Sequence, residues 1–242
     1  MKNKLLAIAC TILLLTCCTE KIDRKTLVMR NNPHMTALDT LSSLSLGNGH
    51  FAFTADITGL QTWPELYRNG IPLGTMSDWG WHSFPNTEGF TLDECLVEKD
   101  FGRGKTEYHA CQSNKSAAEY VRSNPHRIHL GYIGFSDIIP SEITEADQTL
   151  DMWEGLLHSR FKINGRSVHV LTSVHPEKDI VSAEISSDVM LPVCIRFAYP
   201  TGLHTDDASD WNKDKPHNTE IIEQNDETTL IKRTIDETIY FL

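Results

Sequence analysis

The sequence is short of the residues that mark several protein classes. Its six cysteines in 242 residues are too few for a disulfide-stabilised scaffold. Its 22 lysines and arginines are outnumbered by 33 acidic residues, which gives a formal net charge of −11. A nucleic-acid-binding protein needs the opposite balance, because phosphates are neutralised by clustered basic side chains. Hydrophobic residues make up 40% and charged residues 23%, values that exclude a disordered chain and indicate a globular one.

Several motifs of catalysis and cofactor binding are also missing. The sequence contains no GxxxxGK[ST] loop, no GxSxG turn, and no HExxH or CxxC pair. The turn Gly47-Asn48-Gly49 leads into an alternating pattern, whereas a dinucleotide-binding turn leads into a helix. The acidic stretch 204–211 has carboxylates for a cation such as calcium, but it lacks EF-hand spacing and is interpreted as a solvated loop. We therefore predict neither a cofactor nor a metal site.

A long apolar run lies near the start of the chain. It extends from Leu5 to Leu15 after two lysines. It is shorter than the roughly 20 residues of a membrane-spanning helix but typical of the apolar region of an export signal. The run ends in Thr16-Cys17-Cys18, which resembles the lipobox of bacterial lipoproteins, where a cysteine becomes the lipidated N-terminus. This pattern predicts lipidation at Cys18, with Cys17 as an alternative, and a plain secretory signal is the other interpretation.

The leader sets the expected organisation of the chain. We predict a lipoprotein signal peptide over residues 1–18, a tether and lead-in over residues 19–41, and the folded domain over residues 42–242. Removal of residues 1–17 takes away two lysines and no acid, so the formal charge changes from −11 to −13. We expect an exported protein that a lipid anchor holds to the bacterial cell envelope, in the periplasm or at the cell surface.

Three cysteines, Cys95, Cys111 and Cys194, remain in the body of the chain. One disulfide can form among them in an oxidising compartment, and the sequence does not select the pair. The alternative is that they are buried thiols, which pack as small hydrophobic side chains. We favour the buried thiols.

Alternating apolar and polar residues predict strands along most of the body. Asn164-Gly165 between two alternating runs predicts a type I′ hairpin, because both turn residues need positive φ. One short helix is predicted over Ser113–Ser123. The other predicted strands are His50–Ile57, His129–Phe135, Val168–Val174, Ile180–Ser186, Val193–Tyr199 and Thr229–Phe241. The predicted fold class is mainly β, a large antiparallel β-sandwich (supersandwich) with few short helices.

The sequence ends at 238–242 within an apolar, alternating pattern. Natural domains seldom end on an exposed run of this kind. Either the last strand is paired inside a sheet, or the sequence is truncated and belongs to a longer chain.

Residues 58–90 combine glycines and prolines with large aromatic residues. This composition predicts a long structured loop, and long loops inside compact domains are usually functional. Flat aromatic rings stack on the C–H faces of sugars, while Asp, His and Asn side chains hydrogen-bond the hydroxyls. The candidate carbohydrate-binding residues are Trp63, Trp79, Trp81, His82 and Asn86. The alternative interpretation is that these aromatic residues form a small core beneath the loop.

Paired carboxylates, the requirement for glycoside hydrolysis, have several candidates in the same part of the chain. They are Asp56, Glu65, Asp78 and Glu88. The sequence does not place any two of them at the separation that the reaction needs. We therefore predict no catalytic residue from them.

Residues 42–53 with their Gly47-Asn48-Gly49 turn, followed by residues 56–62, resemble the start of a known domain. This is the N-terminal β-sandwich of six-hairpin glycosidases, the (α/α)6-barrel enzymes that include glycoside hydrolase family 65. The segments 79–82, 151–155, 175–176 and 199–202 are also similar, so that the resemblance covers most of residues 30–242. In that family the barrel carries the catalytic acids, and no position here matches them.

This resemblance implies the non-catalytic N-terminal sandwich portion of a secreted glycoside hydrolase, which frames or binds an oligo- or polysaccharide. Full-length relatives would add a helical-barrel catalytic domain. One alternative is a stand-alone carbohydrate-binding surface lipoprotein, and another is a small complete enzyme that uses carboxylates of residues 56–94. The expected partners are a glycan and, through the lipid anchor, a membrane; no nucleic acid is expected.

Overall fold

The structure is a computed structural model that describes residues 21–109, 114–203, 208–212 and 217–242. The leader, Cys17 and Cys18, and residues 204–207 of the acidic stretch lie outside these ranges. The helices are α1 (Arg24–Met29), α2 (Pro64–Tyr67) and α3 (Lys115–Ser123), with 3-10 turns at Asp93–Cys95 and Pro140–Glu142. The strands are β1 (His34–Met35), β2 (Leu44–Gly47), β3 (Phe51–Ala55), β4 (Gly74–Ser77), β5 (Trp81–His82), β6 (Leu96–Asp100), β7 (Lys105–His109), β8 (His126–Arg127), β9 (Tyr132–Phe135), β10 (Ile143–Asp151), β11 (Leu156–Ile163), β12 (Arg166–Val174), β13 (Val181–Ser187), β14 (Val193–Arg196), β15 (Tyr199–Pro200), β16 (Ser209–Asp210), β17 (His217–Gln224), β18 (Thr229–Ile235) and β19 (Thr238–Phe241).

Five antiparallel strands form the largest sheet of the described residues, in the order β1-β10-β11-β12-β13. The turn between β11 and β12 is Asn164-Gly165, with φ of 51° and 79°, as the predicted type I′ hairpin requires. Side chains alternate between the two faces, so that Leu157, Phe161 and Val170 are buried on one of them. This face is the first layer of the core.

Smaller sheets supply the opposite layer. Phe53 of the β2–β3–β4 sheet and Ile235 of the β17–β18–β19 sheet share a buried cluster with Leu157. A second buried cluster joins Trp63 to Phe161. Burial of each large apolar side chain contributes roughly 1.5–3 kcal/mol, so these contacts hold the layers together. The predicted class, mainly β with antiparallel, sandwich-like sheets and few short helices, is confirmed.

Some elements differ from the prediction in extent. The single strand predicted over Val193–Tyr199 is divided into β14 and β15, which lie in different sheets. The strand predicted over Thr229–Phe241 is divided into β18 and β19 by a turn at Asp236, where φ is 48°. The region predicted as loop, 58–90, contains α2, β4 and β5. The predicted helix is present as α3, with Asn114 as its N-cap.

Part of the predicted lead-in is folded. His34 and Met35 form β1 and pair with β10. Leu38 packs against the buried side chains of Tyr67 and Leu73. Among the described residues, strand pairing therefore begins at His34, before the predicted boundary at residue 42.

The cysteines and the C-terminal strand bear on two alternatives that the sequence left open. Cys95 is buried and Cys194 is half-buried, and neither belongs to a disulfide among the described residues, while Cys111 lies outside those residues. At the C-terminus, β19 is hydrogen-bonded to β18 and buries Tyr240 but leaves Phe241 exposed. The last strand is therefore paired on one side, with β18, as an edge strand of the β17–β18–β19 sheet. Within the described ranges, no helix has the length and apolar character to cross a membrane.

Candidate functional site

Trp63 lies in the core rather than at a site. Its side chain is 8% exposed, and its Nε1 donates a hydrogen bond to the carbonyl oxygen of Ile138 at 2.8 Å. The preceding loop folds around the buried carboxylate of Asp56, which accepts hydrogen bonds from the backbone of residues 58, 62 and 63. The ring has no face open to a ligand, so the assignment of Trp63 as a sugar-binding residue is corrected.

His82 is also internal. It is buried, with Nδ1 2.9 Å from His126 Nε2 and Nε2 3.0 Å from Asp236 Oδ2. Burial lowers the pKa of His82, and the neighbouring His126 lowers it further. Both ring nitrogens are occupied by protein groups, so His82 supports the strand that carries Trp81 and does not present a binding group.

Asn86 is exposed but closes its own loop. Its side-chain oxygen accepts a hydrogen bond from Phe90 N at 2.9 Å, and its side-chain nitrogen donates one to Phe90 O at 2.8 Å. Its amide is therefore used within the loop, and a sugar would have to compete with both contacts.

Trp79 and Trp81 are the predicted aromatic site residues that lie on the surface. They are 47% and 45% exposed. Trp79 Nε1 donates a 2.6 Å hydrogen bond to Asp179, and the ring centroid lies 5.8 Å from that of Tyr240. The guanidinium carbon of Arg127 lies 4.1 Å above the ring centroid of Trp81, a cation–π contact. Both rings are thus fixed in place while part of their apolar surface stays open to solvent.

Backbone hydrogen bonds fix the turn that carries Trp79 and Trp81. The amide of Trp81 donates to Trp79 O at 2.8 Å, and the amide of Gly80 donates to Ser77 O at 3.2 Å, which forms a compact turn after β4. Trp81 then begins β5, where it pairs with Arg127 of β8. Arg127 Nη1 also donates to Ser77 O at 2.7 Å. The same arginine therefore joins the turn to the strand pair.

Polar groups surround these rings. His50 Nδ1 lies 2.6 Å from Asp78 Oδ2, and this hydrogen bond holds the pKa of the Asp78 carboxyl below its ordinary value. Asp179 Oδ2 also accepts a 2.6 Å hydrogen bond from Ser77 Oγ. We refer to the group formed by His50, Asp78, Trp79, Trp81, Arg127 and Asp179 as the tryptophan surface.

A cavity of about 340 Å³ adjoins the tryptophan surface. His50, Asp78 and Arg127 border it, and Gly47 and Ala52 lie in its wall. Gly47 and Ala52 are paired across β2 and β3 and have little or no side chain, so the sheet leaves room there. The volume of the cavity is within the range of small-molecule sites, roughly 300–1,000 Å³.

Sequence reasoning missed His50, Arg127 and Asp179. Each is brought to the tryptophans by strand pairing or by a distant hairpin, with sequence separations between partners of up to 100 residues. No local pattern indicates such contacts. An isolated histidine, arginine or aspartate looks the same in sequence whether it is solvated or at a site.

The four carboxylates considered for hydrolysis lie in different surroundings. Asp56 is buried and accepts hydrogen bonds from its own loop. Glu65 Oε1 accepts a 2.8 Å hydrogen bond from Arg196, Asp78 borders the cavity, and Glu88 is exposed. Across the part of the chain that the structure describes, no three His, Cys, Asp or Glu side chains form a group that could hold a metal ion.

Comparison with known proteins does not assign the chain to a family. No family model matches it, and no curated protein is significantly similar to it.

Proposed function

We propose that the tryptophan surface binds carbohydrate, and that the chain is the non-catalytic sandwich portion of an exported glycoside hydrolase. The observation that carries the proposal is the half-exposure of Trp79 and Trp81, two rings that hydrogen bonding and cation–π stacking fix in place. Rigid rings bind at low entropic cost, because little side-chain freedom is lost on binding. An open, flat apolar face complements the C–H face of a sugar ring.

The surrounding groups suit a polyol. His50 and Asp78 border the adjoining cavity beside Arg127, and these side chains donate or accept the hydrogen bonds that sugar hydroxyls make. The acidic groups are already partnered, Asp78 by His50 and Asp179 by Ser77 and Trp79. The surface thus combines apolar area with placed polar groups, as small-molecule sites do.

Removal of either tryptophan tests the proposal. We expect the purified chain to bind members of a glycan array, and Trp79→Ala and Trp81→Ala each to weaken binding of the best array hit about tenfold in isothermal titration calorimetry. Loss of a stacked ring removes an interaction of roughly 1 kcal/mol or more. Phe101→Ala is the matched control, since Phe101 is 62% exposed but belongs to the separate β6–β7 hairpin.

Urea unfolding separates binding from folding in these variants. Unchanged midpoints with reduced affinity support the binding role. Lowered midpoints in both variants would instead identify the two rings as structural. Hydrolysis of an array glycan by the purified chain would contradict the non-catalytic part of the proposal.

A further inference from the structure

A third exposed tryptophan lies at the tip of the β10–β11 hairpin. Trp153 is 45% exposed. Its amide and that of Glu154 donate to Asp151 Oδ1 at 2.9 and 3.1 Å, and Gly155 N donates to Asp151 O at 2.8 Å. The amide of Met152, the residue before Trp153, donates to Asn32 Oδ1 at 3.1 Å. The tip is therefore a hydrogen-bonded turn that holds Trp153 outward.

Trp153 lines a second cavity, of about 630 Å³, which shares a wall residue with the first one. Ser45, Leu46 and Pro176 also line it, and Gly47 belongs to the walls of both cavities. Gly47 is therefore the residue at which the two cavities adjoin. We refer to the two cavities together as the groove.

Asn48 makes the middle of this groove rigid. Its side-chain oxygen accepts from His50 N and Phe51 N at 2.9 and 2.8 Å, and its side-chain nitrogen donates to His175 O and Lys178 O at 3.0 and 3.1 Å. The second pair of bonds fixes the β12–β13 loop, which carries Asp179, the partner of Trp79. Asn48 therefore joins the start of β3 to the loop that positions Trp79.

The groove carries little unpartnered charge at its Trp153 end. Glu154 is ion-paired with Lys25 at 2.8 Å, and Asp151 is used by the turn. An ionic ligand would find no free counter-charge among these groups, whereas a neutral polyol needs only an apolar platform and hydroxyl partners.

We infer that Trp153 forms a second aromatic subsite, so that a neutral oligosaccharide lies along the groove with one unit on Trp79 and Trp81 and a later unit on Trp153. This inference rests on the proposed carbohydrate binding and adds the length and charge class of the ligand. A single sugar reaches the tryptophan surface alone, and only a longer chain reaches both platforms.

Fluorine NMR of the purified chain with 5-fluorotryptophan tests this directly. The five tryptophans give separate signals, which single Trp→Phe variants assign. The probes are malto-, cello-, xylo- and manno-oligosaccharides of two to six units. We expect disaccharides of the binding series to shift the Trp79 and Trp81 signals, and longer members to shift the Trp153 signal too. The buried Trp63 is the internal control and stays unshifted.

Variants of the hairpin tip give an independent readout. We expect Trp153→Ala to weaken hexasaccharide binding about tenfold and disaccharide binding not at all, and Trp153→Phe to restore most of the affinity. Leu92→Ala is the matched control and leaves both affinities unchanged, because Leu92 is exposed and lines neither cavity.

Three other results would overturn the inference. If the Trp79 and Trp81 signals shift while the Trp153 signal does not shift with oligosaccharides of any length, the second subsite is wrong and the proposed function stands. If no member of the four series shifts any signal, the proposed function and this inference fail together. If the Trp153 signal moves with protein concentration and without sugar, a second copy of the chain occupies this end of the groove.

Discussion

Asp56 is one of the four carboxylates considered for glycoside hydrolysis, and it lies in the interior of the protein. Its Oδ1 accepts hydrogen bonds from Thr58 N and Oγ1 at 2.8 and 2.5 Å, and its Oδ2 accepts from Thr62 N and Trp63 N at 2.6 and 3.1 Å. Burial raises the pKa of Asp56 to about 6, against the opposing effect of these donors. The carboxylate organises the loop that places Trp63 in the core.

Asp56→Asn tests this structural role. The amide nitrogen of Asn would face at least one N–H donor that the carboxylate now accepts from, so one or two buried donors lose their partner. We expect the free energy of unfolding in urea at pH 7 to fall by about 2–4 kcal/mol. The control is Asp39→Asn, because Asp39 makes similar local bonds at an exposed position. Equal effects in the two variants would contradict the special role of Asp56.

The pH dependence of stability depends on His129, a partly buried histidine whose Nε2 is buried. Burial lowers the pKa of His129 to about 4, from about 6.5 in an unfolded chain. Between these values the unfolded chain binds a proton at His129 that the folded chain does not. The contribution of His129 is therefore fully present above pH 6.5 and is lost as the pH falls towards 4. The pKa values of His82 and His126 are also lowered, so they act in the same direction.

His129→Gln should flatten this acid-side dependence. One proton accounts for about 1.4 kcal/mol per pH unit, and we expect the variant to lose up to that slope between pH 4.5 and 6. Urea unfolding at half-unit pH steps measures it. His34→Gln is the control, because His34 is exposed at the edge strand β1. A slope that is unchanged in His129→Gln would show that His129 is not held neutral in the fold.

At the scale of elements, a chain of hydrogen bonds joins the C-terminal hairpin to the strand of Trp81. Asp236 in the β18–β19 turn contacts His82 of β5 at 3.0 Å and accepts a 2.6 Å hydrogen bond from Tyr199 of β15. His82 in turn contacts His126 of β8. Burial raises the pKa of Tyr199, so its hydroxyl stays protonated and donates. Four strand segments are thus tied together behind the tryptophan surface.

Tyr199→Phe removes one bond of this chain and keeps the ring. A buried hydrogen bond to a charged acceptor contributes about 1.5–3 kcal/mol, and we expect stability to fall by about 2 kcal/mol in urea unfolding. Tyr108→Phe serves as the control, since Tyr108 is exposed on β7. Glycan affinity should change little, because Tyr199 lies behind the surface. A stability loss no larger than that of the control would mean that Asp236 does not need this donor.

The elements also show which features the sequence can predict. The Asn164-Gly165 hairpin was predicted because its positive φ angles are a local requirement of two adjacent residues. The turn at Asp236 was missed, because Asp-Glu carries no comparable turn signal and the apolar alternation continues through it. The two-residue pair β5–β8 has no periodicity long enough to detect.

The sequence predicts the candidate site in part, because local composition is visible in it and long-range contacts are not. Composition identified an aromatic, glycine-rich stretch, and two of its tryptophans are exposed. It did not distinguish Trp63 from Trp79 and Trp81, because burial depends on what the rest of the chain packs against each ring. Trp63 donates to the carbonyl oxygen of Ile138 in the core, while Trp79 contacts Asp179 and Tyr240 and stays 47% exposed.

At the scale of the whole molecule, the groove and the proposed anchor depend on different parts of the chain. The groove needs a rigid sandwich, which the paired sheets supply. The anchor needs only an export signal and a cysteine, in residues 1–18, which lie outside the described ranges. A lipidated cysteine joined to a folded unit would keep a glycan-binding surface at the envelope without a membrane-spanning helix.

Substitution of the two cysteines tests this arrangement and distinguishes them. We expect the chain, expressed in a bacterium with a lipoprotein export pathway, to incorporate an alkyne-labelled fatty acid and to sediment with membranes. Cys18→Ala should abolish both label and sedimentation if Cys18 is the lipidated residue, because the thioether forms only on that thiol, while Cys17→Ala should leave both unchanged. The reverse result would assign the lipid to Cys17. Export of an unlabelled, soluble wild-type chain would instead identify a plain secretory signal, and the surface would then have to reach its glycan by diffusion.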